Sequence, residues 1–290
     1  MVSCALGQAT GQLKFIVAYR SGLMQPATFV QQINTLSALI EGRVALNVVA
    51  GSAKAEQRGY GDFLAHDDRY ARAEEFLAVC NSFWRNGSEV DFAGKYYRIE
   101  KGKLLTPFLA PDRIAPEIYI SGHSEQAEQL ARKQGTCLLR VADTPEKLQD
   151  SVARARENGL EVCLRFGIIC RPTREEAVDL ALSLLPASEL QGRKLITSLR
   201  DDSQMHKEAA AAADSSWLSP LLWTGLVPYF GPVWTTLLGT PGQLADMLLE
   251  YKRIGVTQFM LSGWPELDEV VIFGRQVLPL VRQAERPVKG

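Results

Sequence analysis

The chain contains 290 residues, of which 32 are basic and 33 acidic, so its formal net charge is −1. This length suits one large α/β domain or two domains of ordinary size. The balanced charge, without a long run of either sign, argues against a nucleic-acid-binding or membrane-surface protein. No apolar run is long enough to span a bilayer and the N-terminus lacks a secretion-signal pattern, so we predict a cytoplasmic protein.

The cysteine and histidine content limits the chemistry further. Five cysteines form an odd set without a C-x-x-C pair, which favours reduced thiols over a disulfide framework or a zinc site. Three histidines and no H-E-x-x-H motif provide few ligands for a metal ion. We therefore predict no metal centre.

Apolar strands and amphipathic helices are predicted to alternate along most of the chain. Six near-continuous apolar runs are typical of parallel strands covered on both faces. They are residues 14–19, 44–50, 117–121, 137–141, 163–170 and 258–263. Helices with start and stop signals are predicted at 26–42, 67–84, 144–159 and 240–255. The alternation predicts parallel βαβ units within one domain spanning residues 1–290.

Two segments interrupt this alternation. Residues 89–105 alternate in polarity around Ala93-Gly94-Lys95, which predicts an inserted β-hairpin. Residues 183–238 predict a helical excursion followed by a Gly- and Pro-containing loop, long enough to form an active-site lid. Periodicity alone leaves open whether the sheet is open or closed, and six strands are too few for an eight-stranded barrel.

Several motifs, in order along the chain, carry a resemblance to a known family. GRVALNVVAGS (42–52), FLAHDDRYARAEEF (63–76) and VDFAGKYYRIEKGKLLTP (90–107) resemble the bacterial luciferase-like flavin monooxygenase superfamily, and most closely its alkanesulfonate monooxygenase branch. The similarity continues through YISGHSEQAEQLA, RFGIICRPTREEA and GVTQFMLSGWPELDEV. It implies a TIM-type (β/α)8 barrel with inserted segments.

The start of the chain departs from that family pattern. The run QLKFIVAY resembles the third barrel strand of the family. We therefore expect the first two βα units, roughly 60 residues, to be absent. Such a gap would leave the edges of the sheet unpaired.

The resemblance implies an FMNH2-dependent monooxygenase. Reduced FMN, supplied by a separate NAD(P)H-dependent flavin reductase, would react with O2 to form a flavin peroxide that inserts oxygen into a small organic substrate. The protein would orient the cofactor, hold its phosphate and exclude water. A homodimer or homotetramer is implied as well.

Five cofactor-binding residues are implied by two matching motifs. His66 and Tyr70 match an H-x-x-x-Y element in which the tyrosine reaches the FMN phosphate, and they share one face at a helix N-terminus. Gly122, His123 and Ser124 form the turn that matches the family's phosphate-binding serine. The alternatives are a packed tyrosine with a solvent-facing histidine, and a serine that caps a helix, which is compatible with phosphate binding.

A further cofactor contact is expected at the end of the second predicted strand. Asn47 lies where the family's strand approaches the flavin ring, and strand C-termini carry the active site of such barrels. The alternative is an asparagine that caps the following turn.

The substrate side combines one family match with three departures. Arg165 matches a catalytic arginine at a strand end, and a buried arginine requires an anionic partner. That partner could instead be a carboxylate of the barrel. Gly167 stands where the family has a histidine, and Trp264 stands where it has a tyrosine. The mobile-loop arginine of the sulfonate enzymes aligns near Phe230. These changes favour an apolar or aromatic substrate over an alkanesulfonate, although Trp264 could equally pack in the core.

Two other functions remain open from the sequence. A truncated or non-catalytic barrel could act as a partner subunit. A deazaflavin-dependent oxidoreductase of the same superfamily would transfer hydride without oxygen.

Overall fold

The structure of the chain, a computed structural model, describes residues 2–51, 54–85, 89–185, 207–208, 211 and 216–286. The chain divides into two units, Met1–Leu138 and Leu139–Gly290. Each unit combines helices with a largely parallel sheet, which confirms the predicted α/β class. Closure of the strands into a barrel stays a prediction.

The first unit is built on three parallel strands in the order β1-β2-β5. These are β1 (Phe15–Arg20), β2 (Val44–Val49) and β5 (Glu117–Ser121). A separate antiparallel pair, β3 (Val90–Ala93) and β4 (Arg98–Gly102), lies within the segment predicted as a hairpin. The helices are α1 (Val2–Ala9), α2 (Pro26–Leu39), α3 (Lys54–Gly59), α4 (His66–Arg85) and α5 (Glu125–Gln134).

The core of the first unit follows from the apolar patterns of α2 and β2. Phe29, Ile33 and Leu36 repeat at helical spacing and are buried, as their stripe predicts. Leu46 and Val48 are fully buried, because β2 lies between β1 and β5. Burying each large aliphatic side chain contributes about 1.5–3 kcal/mol. This packing fixes the ends of β2 and β5, where the predicted cofactor residues lie.

The second unit has the strand order β6-β7-β9-β8, with β10 also paired to β7. The strands are β6 (Cys137–Val141), β7 (Glu161–Cys170), β8 (Leu222–Trp223), β9 (Thr236–Gly239) and β10 (Gln258–Gly263). The helices are α6 (Pro145–Glu157), α7 (Arg174–Ser183), α8 (Val227–Phe230), α9 (Pro241–Arg253), α10 (Glu266–Ile272) and α11 (Leu278–Ala284). A 3-10 turn (Pro232–Trp234) follows α8, and a π turn (Phe273–Val277) joins α10 to α11.

The structure confirms all six predicted apolar strands to within two residues at either end. It adds β8 within the segment 183–238 that was expected to be helix and loop, and β9 at the end of that segment. Most of the predicted helical excursion, between residues 186 and 215, lies outside the described residues. Among the residues that are described, no helix has the length and hydropathy needed to cross a membrane.

Candidate functional site

Asn47 and Ser121 meet near the C-terminal ends of two neighbouring strands in the first unit. Asn47 lies in β2, and Ser121 ends β5, which runs parallel to β2 with Asn47 opposite Tyr119. The Ser121 hydroxyl donates a 2.7 Å hydrogen bond to Oδ1 of Asn47. Asn47 thus bonds to the neighbouring strand instead of capping the turn after β2. In the described part of the chain, no group accepts a hydrogen bond from its Nδ2.

Tyr70 and Ser124 meet at the N-termini of two helices in the same unit. Tyr70 lies one turn into α4, and Ser124 is the N-cap of α5. Their side chains are hydrogen-bonded to each other. The Ser124 hydroxyl also accepts a 3.3 Å hydrogen bond from the backbone N–H of Ala127, so its predicted role as a helix cap is confirmed. Two hydroxyls therefore converge where unpaired helical N–H groups favour an anion.

Gly122 allows this close approach between the turn and α4. A Cβ atom at position 122 would lie 3.1 Å from the Tyr70 hydroxyl oxygen and would clash with the Cβ of Ala127. Any larger residue would therefore push Tyr70 away from Ser124. The position requires glycine for packing, whether or not a ligand is bound.

The two predicted histidines have different surroundings. His66 opens α4, where its Nδ1 lies 2.9 Å from Oδ1 of Asp67, and its ring centroid lies 5.0 Å from that of Tyr70. Gln126 of α5 donates to the same Asp67 oxygen at 3.3 Å, which ties the two helix N-termini together. His123 is half-buried in the turn between β5 and α5. The His66 ring thus packs against the ring of Tyr70.

The electrostatics keep Tyr70 in its neutral form. Burial raises the pKa of the Tyr70 hydroxyl, while its hydrogen bond with Ser124 acts in the opposite direction. The phenol is therefore a hydrogen-bond donor throughout the physiological range. Asp68, an acidic neighbour in the same turn, is engaged by Lys95 at 2.8 Å and by Tyr96 at 2.6 Å. The hydrogen bond from Lys95 lowers the pKa of Asp68.

Arg165 projects from β7 in the second unit. Its Nε is buried and has no hydrogen-bond partner among the residues that the structure describes, and burial lowers the pKa of its guanidinium. The alternative ion pair with a carboxylate is not found among the described residues. The expected strand-end position is wrong: β7 continues for five residues beyond Arg165, because residues 167–170 pair with β9.

Phe230 and Trp264 line one small apolar cavity of the second unit. Its volume is about 30 Å³, and Trp234 stands between the two, with ring centroids 5.8 Å from each. Leu184 and Leu226 complete the lining. Trp264 is 45% exposed, so it is not a core residue.

Gly167 lies two residues beyond Arg165 on β7, and its neighbour on β9 fills the space beside it. A Cβ atom at position 167 would lie 2.7 Å from Oγ1 of Thr236. Thr236 is buried and donates a 2.9 Å hydrogen bond to the carbonyl oxygen of Trp234. A histidine at position 167 would therefore require Thr236 to move.

Two residues of the site could not be identified from the sequence. Ser121 acquires its contact with Asn47 only through the pairing of β2 with β5. Trp234 joins Phe230 to Trp264 through the fold of a Gly- and Pro-containing segment. The available signals were a serine directly before the glycine of the turn and an aromatic residue within the segment predicted as a lid.

Comparison with known proteins gives a family match and several shared folds. The family model described as luciferase-like monooxygenase matches residues 1–258. EDTA monooxygenase from Chelativorans sp. BNC1 superimposes with a TM-score of 0.80, at 23% identity over 98% of this chain and 76% of that chain. A riboflavin lyase solved with modified FMN and riboflavin gives 0.74, at 22% identity over 100% and 74% of the two chains. An F420-dependent secondary alcohol dehydrogenase gives 0.69, at 23% identity over 96% and 82%.

Proposed function

Because the chain belongs to the luciferase-like monooxygenase family, we propose that it is an FMNH2-dependent monooxygenase acting on a small organic substrate. Family membership confirms the coarser prediction of a flavin-dependent oxidoreductase. The observation that carries the proposal is the pair of hydroxyls, Tyr70 and Ser124, at the N-termini of α4 and α5. When bound, reduced FMN supplies the electrons that activate O2.

The residues of the first unit fit the proposed cofactor. A phosphate monoester offers several acceptor oxygens, and Tyr70 and Ser124 both carry hydroxyl donors beside the first N–H groups of α5. The side-chain amide of Asn47 has N–H donors that bind no acceptor in the described part of the chain, and these donors suit the carbonyl edge of a flavin ring. Gly122 and His123 belong to the same turn and lend their backbone to this site, and His66 buttresses Tyr70.

The residues of the second unit carry the proposed substrate chemistry. Arg165 has a buried Nε that lacks a partner in the described part of the chain, and it supplies a cation for a negatively charged group of the substrate. Phe230 and Trp264 offer aromatic surface, each about half exposed. A single cation together with half-exposed aromatic surface favours a substrate with an apolar or aromatic body over a short alkanesulfonate. Membership of the alkanesulfonate branch, a flavin reductase partner and a homo-oligomer belong to this proposal.

The proposal is tested by cofactor binding and oxygen uptake with the purified chain. Anaerobic titration with reduced FMN should give saturable binding that Tyr70→Phe weakens. Air-saturated mixtures with reduced FMN should then consume O2 in step with product, most rapidly with aromatic or long apolar members of a substrate panel. Absence of binding by both oxidised and reduced FMN would refute the proposal. Binding without turnover of any substrate would instead favour the non-catalytic partner subunit.

A deazaflavin-dependent oxidoreductase is the second candidate, favoured by the shared fold of the F420-dependent alcohol dehydrogenase. The two candidates differ in affinity and in the fate of oxygen. A deazaflavin enzyme should bind F420 more tightly than FMN and reduce it with an alcohol substrate in the absence of O2. Parallel titrations with F420 and FMN decide between them.

A further inference from the structure

We infer that Ser121 is a positioning residue that fixes the side-chain amide of Asn47, so that Asn47 presents only N–H donors to its ligand. The inference rests on the proposed function, in which that ligand is the flavin ring, and deepens it by stating which kind of ring atom Asn47 recognises. An amide held in this way binds a hydrogen-bond acceptor, such as a ring carbonyl oxygen. It rejects a donor, such as a ring N–H.

The hydrogen-bond inventory of the two side chains carries the inference. The Ser121 hydroxyl lies 2.7 Å from Oδ1 of Asn47, and this is its one bond among the described residues. A hydroxyl has one proton, and donating it to Oδ1 satisfies Ser121 and occupies the acceptor end of the amide. The Nδ2 group of Asn47 remains available to a ligand.

The surrounding fold makes this orientation rigid. The two residues sit on adjacent parallel strands, with Val48 paired to Ile120 directly before Ser121. Leu46, Val48 and Ile120 are buried, so neither strand can shift to relax the contact. Asn47 and Ser121 themselves are half-buried, which places the amide at the accessible edge of a packed core. A ligand thus meets an amide whose rotation is already restricted.

The turn from β5 to α5 then has two separate tasks. At its start, Ser121 orients Asn47, and at its end, Ser124 meets Tyr70 and caps α5. The donors for a ring acceptor and for a phosphate are therefore fixed by one four-residue turn. The two tasks can be separated by mutation, because they use different hydroxyls.

A double-mutant cycle tests whether Ser121 acts through Asn47. Ser121→Ala should weaken FMN binding by roughly 2- to 10-fold, the effect expected for one hydrogen bond. In an Asn47→Ala background the same change should have no further effect. Ser121→Thr, which keeps the hydroxyl, should retain near-native affinity. Ser82→Ala is the matched control, since among the described residues the Ser82 hydroxyl bonds only to the backbone oxygen of Ala78 in α4.

The results of the double-mutant cycle either support or overturn the positioning role of Ser121. Equal weakening by Ser121→Ala in both backgrounds, or no weakening in the native background, would overturn the inference. Asn47→Asp, which has no N–H donor, should weaken binding more than Ser121→Ala does. Thermal unfolding of each variant without FMN separates this effect from loss of folding, because a purely structural role lowers the midpoint equally in both backgrounds.

An NMR measurement without flavin tests the role of Ser121 independently of the proposed function. In a 15N-correlated NMR spectrum, the Asn47 side-chain NH2 pair is identified by its disappearance in Asn47→Asp. That pair should shift in Ser121→Ala and stay in place in Ser82→Ala. An unshifted pair refutes the positioning role even if FMN binds. Failure of the native chain to bind FMN, with the NH2 pair shifted in Ser121→Ala, refutes the function but not the role of Ser121.

Discussion

The hydroxyls of Tyr70 and Ser124 are bonded to each other, so we expect their contributions to FMN binding to be coupled. Ser124→Ala and Tyr70→Phe should each weaken binding by about 1 kcal/mol, or roughly fivefold, through loss of one donor. The double variant should lose less than the sum, because each single change already disturbs the shared bond. Calorimetric titration with FMN measures all three.

Tyr60→Phe provides the matched control for that cycle. Tyr60 is a 65% exposed tyrosine of the same unit, whose ring lies beneath Arg20. The Tyr60→Phe variant should bind FMN with native affinity. Strict additivity of the Tyr70 and Ser124 variants would mean that the two hydroxyls bind separate ligand groups.

We expect the Arg165 side chain to lower the stability of the folded chain while it is needed for the proposed reaction. Its Nε is buried without a partner among the described residues although the residue as a whole is half-buried, and removing this partly desolvated cation relieves a desolvation penalty. Arg165→Met should therefore leave the melting temperature unchanged or raised, while substrate-dependent O2 uptake is lost. Arg165→Lys should keep part of the activity, because it retains the charge but not the planar donors. A melting temperature lowered by several degrees in Arg165→Met would reveal a structural partner.

The predictability of these side chains depends on where their contacts come from. Tyr70 and Ser124 are close to helix N-termini, where local sequence spacing and capping already indicate an anion site. Ser121 and Trp234 act through partners that are 74 and 30 positions away along the chain, at Asn47 and Trp264. The periodicity of a single sequence carries no information about contacts between such distant positions. These two residues are therefore identified only from the fold.

Helix α10 is anchored to β7 by one buried carboxylate, Glu269. It accepts a 3.0 Å hydrogen bond from the backbone N–H of Cys170 and pairs with Arg171. Glu269→Ala removes the acceptor of the Cys170 N–H and the carboxylate partner of Arg171, and we expect a loss of about 3–5 kcal/mol in the free energy of unfolding. Glu269→Gln should lose less, because its amide oxygen can still accept from Cys170.

Urea unfolding measures these differences, with Glu266→Ala as the control on the exposed side of the same helix. Equal losses for Glu269→Ala and Glu269→Gln would show that the ion pair, and not the bond to Cys170, supports α10. A near-native Glu269→Ala would show that α10 is held by its apolar contacts alone.

Strands were predictable in proportion to their length and burial. The five-to-ten-residue strands of the parallel sheets consist of apolar runs such as VALNVV and EIYIS, so hydropathy alone locates them. β8 has two residues and β9 has four, and both lie among prolines and glycines. Their strand character comes from pairing with each other and with β7, a tertiary effect that overrides local signals.

Across the chain, buried thiols make the folded state sensitive to alkaline pH. Burial raises the pKa of Cys163 to about 12 and that of Cys170 to about 11, from the ordinary thiol value of 9.0, and it raises the pKa of Cys80 as well. In the unfolded chain these thiols ionise near pH 9, whereas the folded chain keeps them protonated. The unfolded state thus loses protons first, so the stability is fully present below about pH 8 and falls as pH rises towards 11–12.

We therefore expect the free energy of unfolding to fall between pH 8 and pH 10, by at most about 1.4 kcal/mol per pH unit for each thiol. Urea unfolding under reducing conditions across this window measures the slope. Cys163→Ala should lower the starting stability, because it leaves a cavity, but it should flatten the slope. Cys4→Ala, at a cysteine that is only partly buried, is the control. A slope that Cys163→Ala leaves unchanged would place the alkaline sensitivity in other groups, since removing a titrating thiol must remove its share of the proton release.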